Sequence, residues 1–336
     1  MSLRGCIGKF SLTKKMKKFL KKQKRLLILW IEAFHDMLRF WNALESTNNK
    51  QLHLEGAIIR HYHVIEKGLS MKNFRPRFGV PVVQRLCKHL QQWHEPVDKI
   101  TNGQVEAAYT VLICYRNKHR GLGVDILDIL GSYESSLDAY EEANLKVEGG
   151  LKMPLAANPN SLKAFQNIVK TRSSIRWFMQ DQLPEMDLIR EALGDAITTP
   201  SVCNRQTWRV HSYAGEEAGP LLDLQSGNRG FGHQIPMLLV VTSDLCYFTG
   251  PKERYQAWID GGMFAMTLVL ALHVRGLGSV CLNWSVKNKV DKEFRLKAEI
   301  SDNERIIMLI GVGLPDFKKE VPFSARKTVE DVLRVH

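Results

Sequence analysis

The sequence has six cysteines, at positions 6, 87, 114, 203, 246 and 281, and none of them forms a C-x-x-C pair. Scattered single thiols point to a reducing, cytosolic setting, although spacing alone leaves disulfides open. No membrane span is evident. The longest apolar run of the N-terminal arm, Leu26 to Ile31, falls far short of the roughly 20 residues a span needs. A secretory leader fits poorly as well, because Glu32, His35 and Asp36 interrupt the apolar stretch and no small-residue cleavage site follows. No repeat period is visible, and no G-x-G-x-x-G joins a strand to a helix, which excludes a repeat array and argues against a Rossmann domain. No recognisable nucleic-acid-binding module occurs, so no nucleic-acid partner is expected.

Acidic residues are scarce at one end only. Residues 1–50 carry 12 Lys/Arg against 3 Asp/Glu, a net of +9 within a whole-chain charge of +12. The remaining residues therefore hold only +3, and the basic character belongs to the N-terminus. There Lys14, Lys15, Lys17, Lys18, Lys21, Lys22, Lys24 and Arg25 precede Leu27, Trp30, Ile31, Phe34, Met37, Leu38 and Trp41 at helical spacing. This predicts one long amphipathic helix or two consecutive ones. Such a helix either packs on the protein behind a solvated lysine lead-in or attaches, through residues 14–41, to an anionic membrane surface. Localisation is expected to be cytoplasmic, membrane-peripheral in the second case.

At 336 residues and 44% hydrophobic, the chain is long enough for more than one core. Three parts are expected: a basic helical arm over 1–50, a helical extension over 51–160, and an α+β domain over 161–336. In the extension, helical patterns cover roughly 50–67, 81–93, 104–119 and 123–146, with Gly68 as a helix stop and turn residues at 147–160. His63, Glu66 and Lys67 share one helix face, and Arg75 follows in a basic loop. They are candidates to contact an anionic substrate, weighed against a plain helix end. His61 and His63, two apart on a helix, point to different faces, so no metal site is expected. In the last part, Ser161 can cap a helix, and a second helix runs from 185 to 197. Strands are expected near 208–213, 235–242, 279–284 and 305–312, with a deeply buried helix from Ala257 to about Arg275.

The chemistry concentrates between Thr171 and Trp208. Arg172, Ser173, Ser174 and Arg176 place two guanidinium groups and two hydroxyls within five residues, a set that can neutralise and fork onto a phosphate. Pro200, Ser201, Asn204 and Gln206 precede Trp208 and offer groups that can read the polar edge of a flat ligand.

These paired segments, R-x-S-x-R and then P-S-x-x-N-x-Q-x-W about one helix later, resemble the flavin-binding core of the nitroreductase family. The resemblance covers residues 161–336. It implies a nitroreductase-like fold, with a mainly antiparallel central sheet flanked by helices, and FMN bound at a homodimer interface. It places Arg172, Ser173, Ser174, Arg176 and Arg326 around the phosphate and ribityl chain. Pro200, Ser201, Asn204 and Gln206 would lie along the ring, supplied by the other subunit, and Asn228 matches a flavin-contacting position. The backbone of Leu282 and Asn283 would lie near flavin N5, and Asp260-Gly261-Gly262 matches the start of a central interface helix. The implied activity is ping-pong hydride transfer from NAD(P)H to a small-molecule acceptor, with no side-chain nucleophile. Where relatives often carry W-x-G or I-E-G, this chain has Cys281-Leu282-Asn283-Trp284, which leaves the substrate class open. The H-x-x-E-K-G-L and R-x-x-F-G segments are also similar to the N-terminal extension of some family members from bacterial surface-polysaccharide gene clusters. That similarity suggests a specialised biosynthetic intermediate as substrate. The alternative is a non-enzymatic flavin-fold partner held at a membrane or complex by the basic helix.

Overall fold

The structure, a computed structural model, describes residues 14–93, 95–143, 149–180 and 182–336. Cys6 and the end of the helix expected over 123–146 lie outside the described residues.

Helix α1 (Lys14–Leu44) is a single 31-residue helix, uninterrupted because no Gly or Pro falls within it. Its last third is docked through Phe40 and Ala43, while Lys14 to Ile31 stand exposed. Helices α2 (Lys50–Leu69), α3 (Val80–Gln92) and α4 (Gly103–Arg120) follow, then the short α5 (Leu127–Leu130) and α6 (Tyr133–Glu142). The Asn102 side chain caps α4 by accepting from the amides of Gln104 and Val105 at 2.9 and 3.2 Å. Ile58, Ile65, Leu86, Val111, Leu112 and Leu137 meet in one apolar core shared by these helices. The single helix expected over 123–146 is broken instead at Gly131, whose φ of +57° lies outside helical geometry. Gly68 does not stop α2, which continues through Leu69 to a cap at Ser70. A Cβ at Gly68 would fall within 1.9 Å of the Phe78 ring, so the glycine is there for close packing.

The second part begins with α7 (Ser161–Thr171) and α8 (Met186–Ala196). Asn160 occupies the N-cap position of α7, one residue before the expected Ser161, and makes no side-chain cap bond. Strand β1 (Trp208–Ala214), helix α9 (Gly219–Leu222), strand β2 (Met237–Asp244), helix α10 (Gln256–Val274), strand β3 (Gly278–Asn283), helix α11 (Asn288–Ala298), strand β4 (Glu304–Gly313) and helix α12 (Val329–Val332) complete the chain. The four strands form an antiparallel sheet in the order β1-β2-β4-β3. Strand β2 is buried on both faces, which explains its nearly continuous apolar run. Met237, Leu239 and Val241 face the core built with α8 and α10, while Leu238 and Val240 face the one that contains Leu221, Leu222 and Phe294.

By length and composition the stretch Pro251–Val274, which contains α10, is apolar enough to cross a membrane. The helix packs against all four strands and against α8, as a core helix does. Contrary to expectation, one stripe of it stays open: Ile259, Met263 and Met266 are exposed at i, i+4, i+7 spacing. Leu162, Phe165 and Val169 of the neighbouring α7 are exposed too, and α7 buries no residue at all.

Helix α2 joins the two parts. Gly56 lets α2 approach the core so closely that a Cβ there would sit 2.8 Å from the Tyr247 carbonyl oxygen. The Tyr247 hydroxyl then donates to Glu55 Oε2 at 2.8 Å and accepts from Arg209 at 3.2 Å.

Candidate functional site

Arg172 follows the last turn of α7, and the chain then runs extended along the free edge of β3. Ser174 bridges Ser279 in parallel, and the Ile175 amide donates to the Ser279 carbonyl at 2.9 Å. A cleft of about 150 Å³ lies here, lined by Thr171, Arg172, Ser173, His273, Gly278 and Ser279 among others. Among the described residues neither Arg172 nor Arg176 has an ion-pair partner; Arg176 lies 5.6 Å from the Phe231 ring centroid. Two unneutralised guanidinium groups beside free hydroxyls suit a phosphate. His273 completes the cleft, with Nε2 2.8 Å from Thr171 Oγ1. Burial, and then the Arg172 charge, hold its pKa below the ordinary 6.5. Sequence reasoning missed His273 and Thr171, because nothing in the last turn of α10 signals that it ends beside Arg172.

Further along β3 stand Cys281, Leu282 and Asn283. Leu282 is buried and Asn283 exposed. The Asn283 carbonyl accepts from Gln225 Nε2 at 2.8 Å, and its side chain accepts from the Ser285 amide at 3.1 Å. Cys281 reaches solvent at the edge, yet the packing around it pushes its thiol pKa up, with Arg172 pulling the other way. It is not a poised thiolate. Asn228 is buried, donates to the Leu222 carbonyl at 2.7 Å, and lines a separate cleft of about 480 Å³ with Ser226, Arg229 and His233.

The ring-edge residues are elsewhere. Pro200, Ser201, Asn204 and Gln206 form a tight loop ahead of β1. Ser201 Oγ accepts from the Gln206 amide at 3.0 Å, and the Asn204 amide donates to the Ser201 carbonyl at 3.0 Å. Cys203, Asn204 and Gln206 all have positive φ, at 50°, 54° and 49°. Asn tolerates this region, whereas Cys and Gln pay about 1–2 kcal/mol each. The loop holds this shape because buried groups beneath it fix its backbone. Asp260 accepts from the Val202 amide at 3.1 Å and from Gln256 Nε2 at 2.8 Å. Arg205, fully buried, pairs with Glu253 at 2.6 Å and lies 5.5 Å from the Phe248 ring centroid. Burial raises the Asp260 pKa, opposed by Gln256, the Val202 amide and Arg205. The extension reaches the same loop, since Asn204 Nδ2 donates to the Tyr62 hydroxyl at 3.4 Å and Tyr62 donates to Gln104. Nothing in the sequence marks Tyr62 as a partner of Asn204.

The two groups of candidates therefore lie at diagonal corners of the sheet. From β1 to the Ser174 bridge is four strand spacings, on the order of 19 Å. Along β2, Ser243 faces Trp208 and Met237 faces Val312, which in turn faces Ser279, an offset of six residues or roughly 20 Å. Within one chain the Arg172–Arg176 segment and the 200–206 loop therefore sit at opposite edges of the sheet.

The remaining candidates are not at either corner. Arg326, on the exposed tail, donates to the Ser324 carbonyl and has no other hydrogen bond among the described residues. His63 Nδ1 lies 3.1 Å from Glu66 Oε2, and Glu66 Oε1 accepts from the Gly150 amide at 3.0 Å, tying the inter-part linker to α2. Lys67 and Arg75 are exposed. Among the described residues no group of three or more His, Cys, Asp or Glu could hold a metal ion.

Residues 213–314 match the Nitroreductase family. The span contains Asn228, Asp260, Leu282 and Asn283. It begins after the Arg172–Arg176 and 200–206 segments and ends before Arg326, so the two motifs that carry the resemblance lie outside it. The fold is nitroreductase-like, with helices preceding that domain. A search of curated proteins found no match. Among solved structures, a nitroreductase family protein from Streptococcus pneumoniae is 24% identical, with 51% of this chain and 100% of that one covered and a TM-score of 0.45. A nitroreductase-like family protein from Bacillus cereus is 22% identical over 55% of this chain and 99% of its own, with a TM-score of 0.43. An FMN-dependent nitroreductase from Clostridium difficile is 23% identical over 47% and 91%, with a TM-score of 0.40.

Proposed function

We propose that the protein is an FMN-dependent oxidoreductase reduced by NAD(P)H, with its cofactor held between two copies of the chain. The observation that carries this reading is the pair of unneutralised arginines, Arg172 and Arg176, fixed beside the exposed edge of β3 within a nitroreductase-like fold. The residues fit the cofactor. Arg172, Ser173, Ser174 and Arg176 would hold its phosphate and ribityl chain, and Asn204 and Gln206 would face its ring. Bound FMN would supply the two-electron chemistry, and the protein's share is binding, orientation and exclusion of water.

Two observations support a homodimer. Within one chain the site halves sit at opposite edges of the sheet, and a two-fold axis would bring each half against the other copy's complement. The exposed stripes of α7 and α10 supply an apolar surface for that contact. The extension meets the 200–206 loop through Tyr62, which supports a role for it in shaping access for a specialised acceptor.

The experiment is direct. The purified protein should be yellow, with the absorbance of oxidised flavin, and should bleach on addition of NADH or NADPH. The Arg172→Ala/Arg176→Ala variant should be folded and colourless. A wild-type protein that is colourless and cannot be reconstituted with FMN overturns the reading.

A further inference from the structure

Helix α1 has two faces, and it docks by the unexpected one. At 100° per residue, Leu20, Leu27, Phe34 and Trp41 recur every seven positions, with Phe19, Trp30 and Met37 beside them, so they form one stripe along the helix. The opposite side carries the anchor to the core. The Asn288 amide donates to Glu32 at 2.8 Å, Arg305 pairs with Asp36, Arg39 bonds Asp291 at 2.7 Å and Asp302 at 3.0 Å, and Phe40 and Ala43 are buried. The apolar stripe therefore faces away from the body along its whole length. Phe19 is 58% exposed, Leu27 60%, Trp30 65%, Phe34 59% and Trp41 52%.

Charge decides what fits such a stripe. From Lys14 to Ile31 there are seven lysines and one arginine and no acidic residue. Lys15 and Lys22 flank the stripe on one side, Lys17 and Lys24 on the other, placed so that their long stems can reach past apolar neighbours to anions beside them. A second copy of α1 laid on this stripe would bring two such cationic rows together with nothing to neutralise them. An anionic bilayer supplies what the helix lacks, with phosphate groups for the flanking lysines and an acyl boundary for the aromatic stripe.

We propose that α1 is a peripheral membrane anchor that lies in the plane of an anionic lipid surface, its Phe19–Trp41 stripe in the headgroup–acyl boundary and the body carried on its opposite face. The anchor is joined to the candidate site. Asp291, which holds Arg39 of α1, also accepts from Trp284 Nε1 at 2.8 Å, in the loop after Asn283. The membrane-bound helix thus braces the loop beside the site. This assignment is independent of the proposed oxidoreductase activity, and its test needs no cofactor.

The full chain is floated with vesicles of phosphatidylcholine containing phosphatidylglycerol, and separately with phosphatidylcholine alone. Flotation with the anionic vesicles only, weakened by salt, is the expected result. Brominated acyl chains should quench tryptophan emission in the wild type and not in Trp30→Phe/Trp41→Phe, which should still float. Lys15→Gln/Lys17→Gln/Lys22→Gln/Lys24→Gln should weaken partitioning about fivefold per lysine, more than a hundredfold in all. These positions precede the first anchoring residue, Glu32, so the variant should keep the wild-type circular dichroism. No flotation, or equal flotation with both vesicle types, overturns the proposal. So does a Leu27→Asp/Phe34→Asp variant whose mass in solution is half that of the wild type, because the stripe would then belong to a second copy.

Discussion

Asp260 offers the sharpest test of how the ring-edge loop is held. It is fully buried, accepts from the Val202 amide and from Gln256, and lies under a loop with three non-glycine residues at positive φ. Asp260→Ala leaves the Val202 amide and the Gln256 side chain without their acceptor, at about 1–3 kcal/mol per orphaned group, so a loss of about 3 kcal/mol is expected. At roughly 2 cal/mol/K of unfolding entropy per residue, that loss lowers Tm by about 4 °C. Asp260→Asn should behave differently. Burial raises the Asp260 pKa, so the ionised carboxylate is costly to keep inside, and a neutral amide keeps one acceptor oxygen without that cost. Val202 keeps its acceptor and Gln256 can turn its own amide oxygen toward the new Nδ2–H, so the loss should be about 1 kcal/mol. Thermal unfolding measures the global effect, and amide exchange at Val202 and Gln206 reports the loop itself, which should open first in the Ala variant. If Asn and Ala lose the same stability, the charge and not the acceptor geometry supports the loop, and the reasoning fails.

Three further expectations can be checked together. Each arginine–phosphate contact is worth about 1.5–3 kcal/mol, so Arg172→Ala should weaken FMN binding by roughly ten- to a hundredfold in a fluorescence titration. His273 has its pKa held below 6.5 by burial and by Arg172, and a bound phosphate favours its protonated form; FMN affinity should therefore rise as pH falls through the region below 6.5, and His273→Gln should flatten that slope. Burial disfavours the charged Asp291, but Arg295, Trp284 and Arg39 outweigh it and hold its pKa below 3.8. Its stabilising contribution is present above pH 3.8 and is lost as pH falls through the lower folded value, so α1 should become protease-sensitive in acid, and Asp291→Asn should bring this on at neutral pH with a loss of about 2 kcal/mol.

The elements legible from sequence were those whose pattern is local. Strands β2 and β4 are long apolar runs because both faces are covered, and α1 shows its two faces in plain periodicity. Helix α11 gave little local signal, since Asn288–Ala298 is mostly charged and only Phe294, Arg295 and Ala298 turn inward. The break at Gly131 was invisible because a glycine inside a helical pattern need not end it. At the site, the phosphate-type cluster and the ring-edge segment could each be read from residue chemistry. Their positions at opposite corners of the sheet could not, because strand order is set by pairings between residues far apart in the chain. The same holds for Tyr62 with Asn204, 142 residues apart, and for Arg39 with Asp291, 252 apart.

The central claim is that one cofactor site needs two copies of the chain, and subunit complementation tests it most directly. One variant, Arg172→Ala/Arg176→Ala, removes the phosphate half; the other, Asn204→Arg, fills the ring-edge half. Each alone should purify without FMN. Unfolded together in equal amounts and refolded, half of the dimers should be mixed and should carry one intact site, so about one FMN per four chains is predicted. A mixture as free of cofactor as its two parents would contradict the account, because it would place both halves of the site within a single chain.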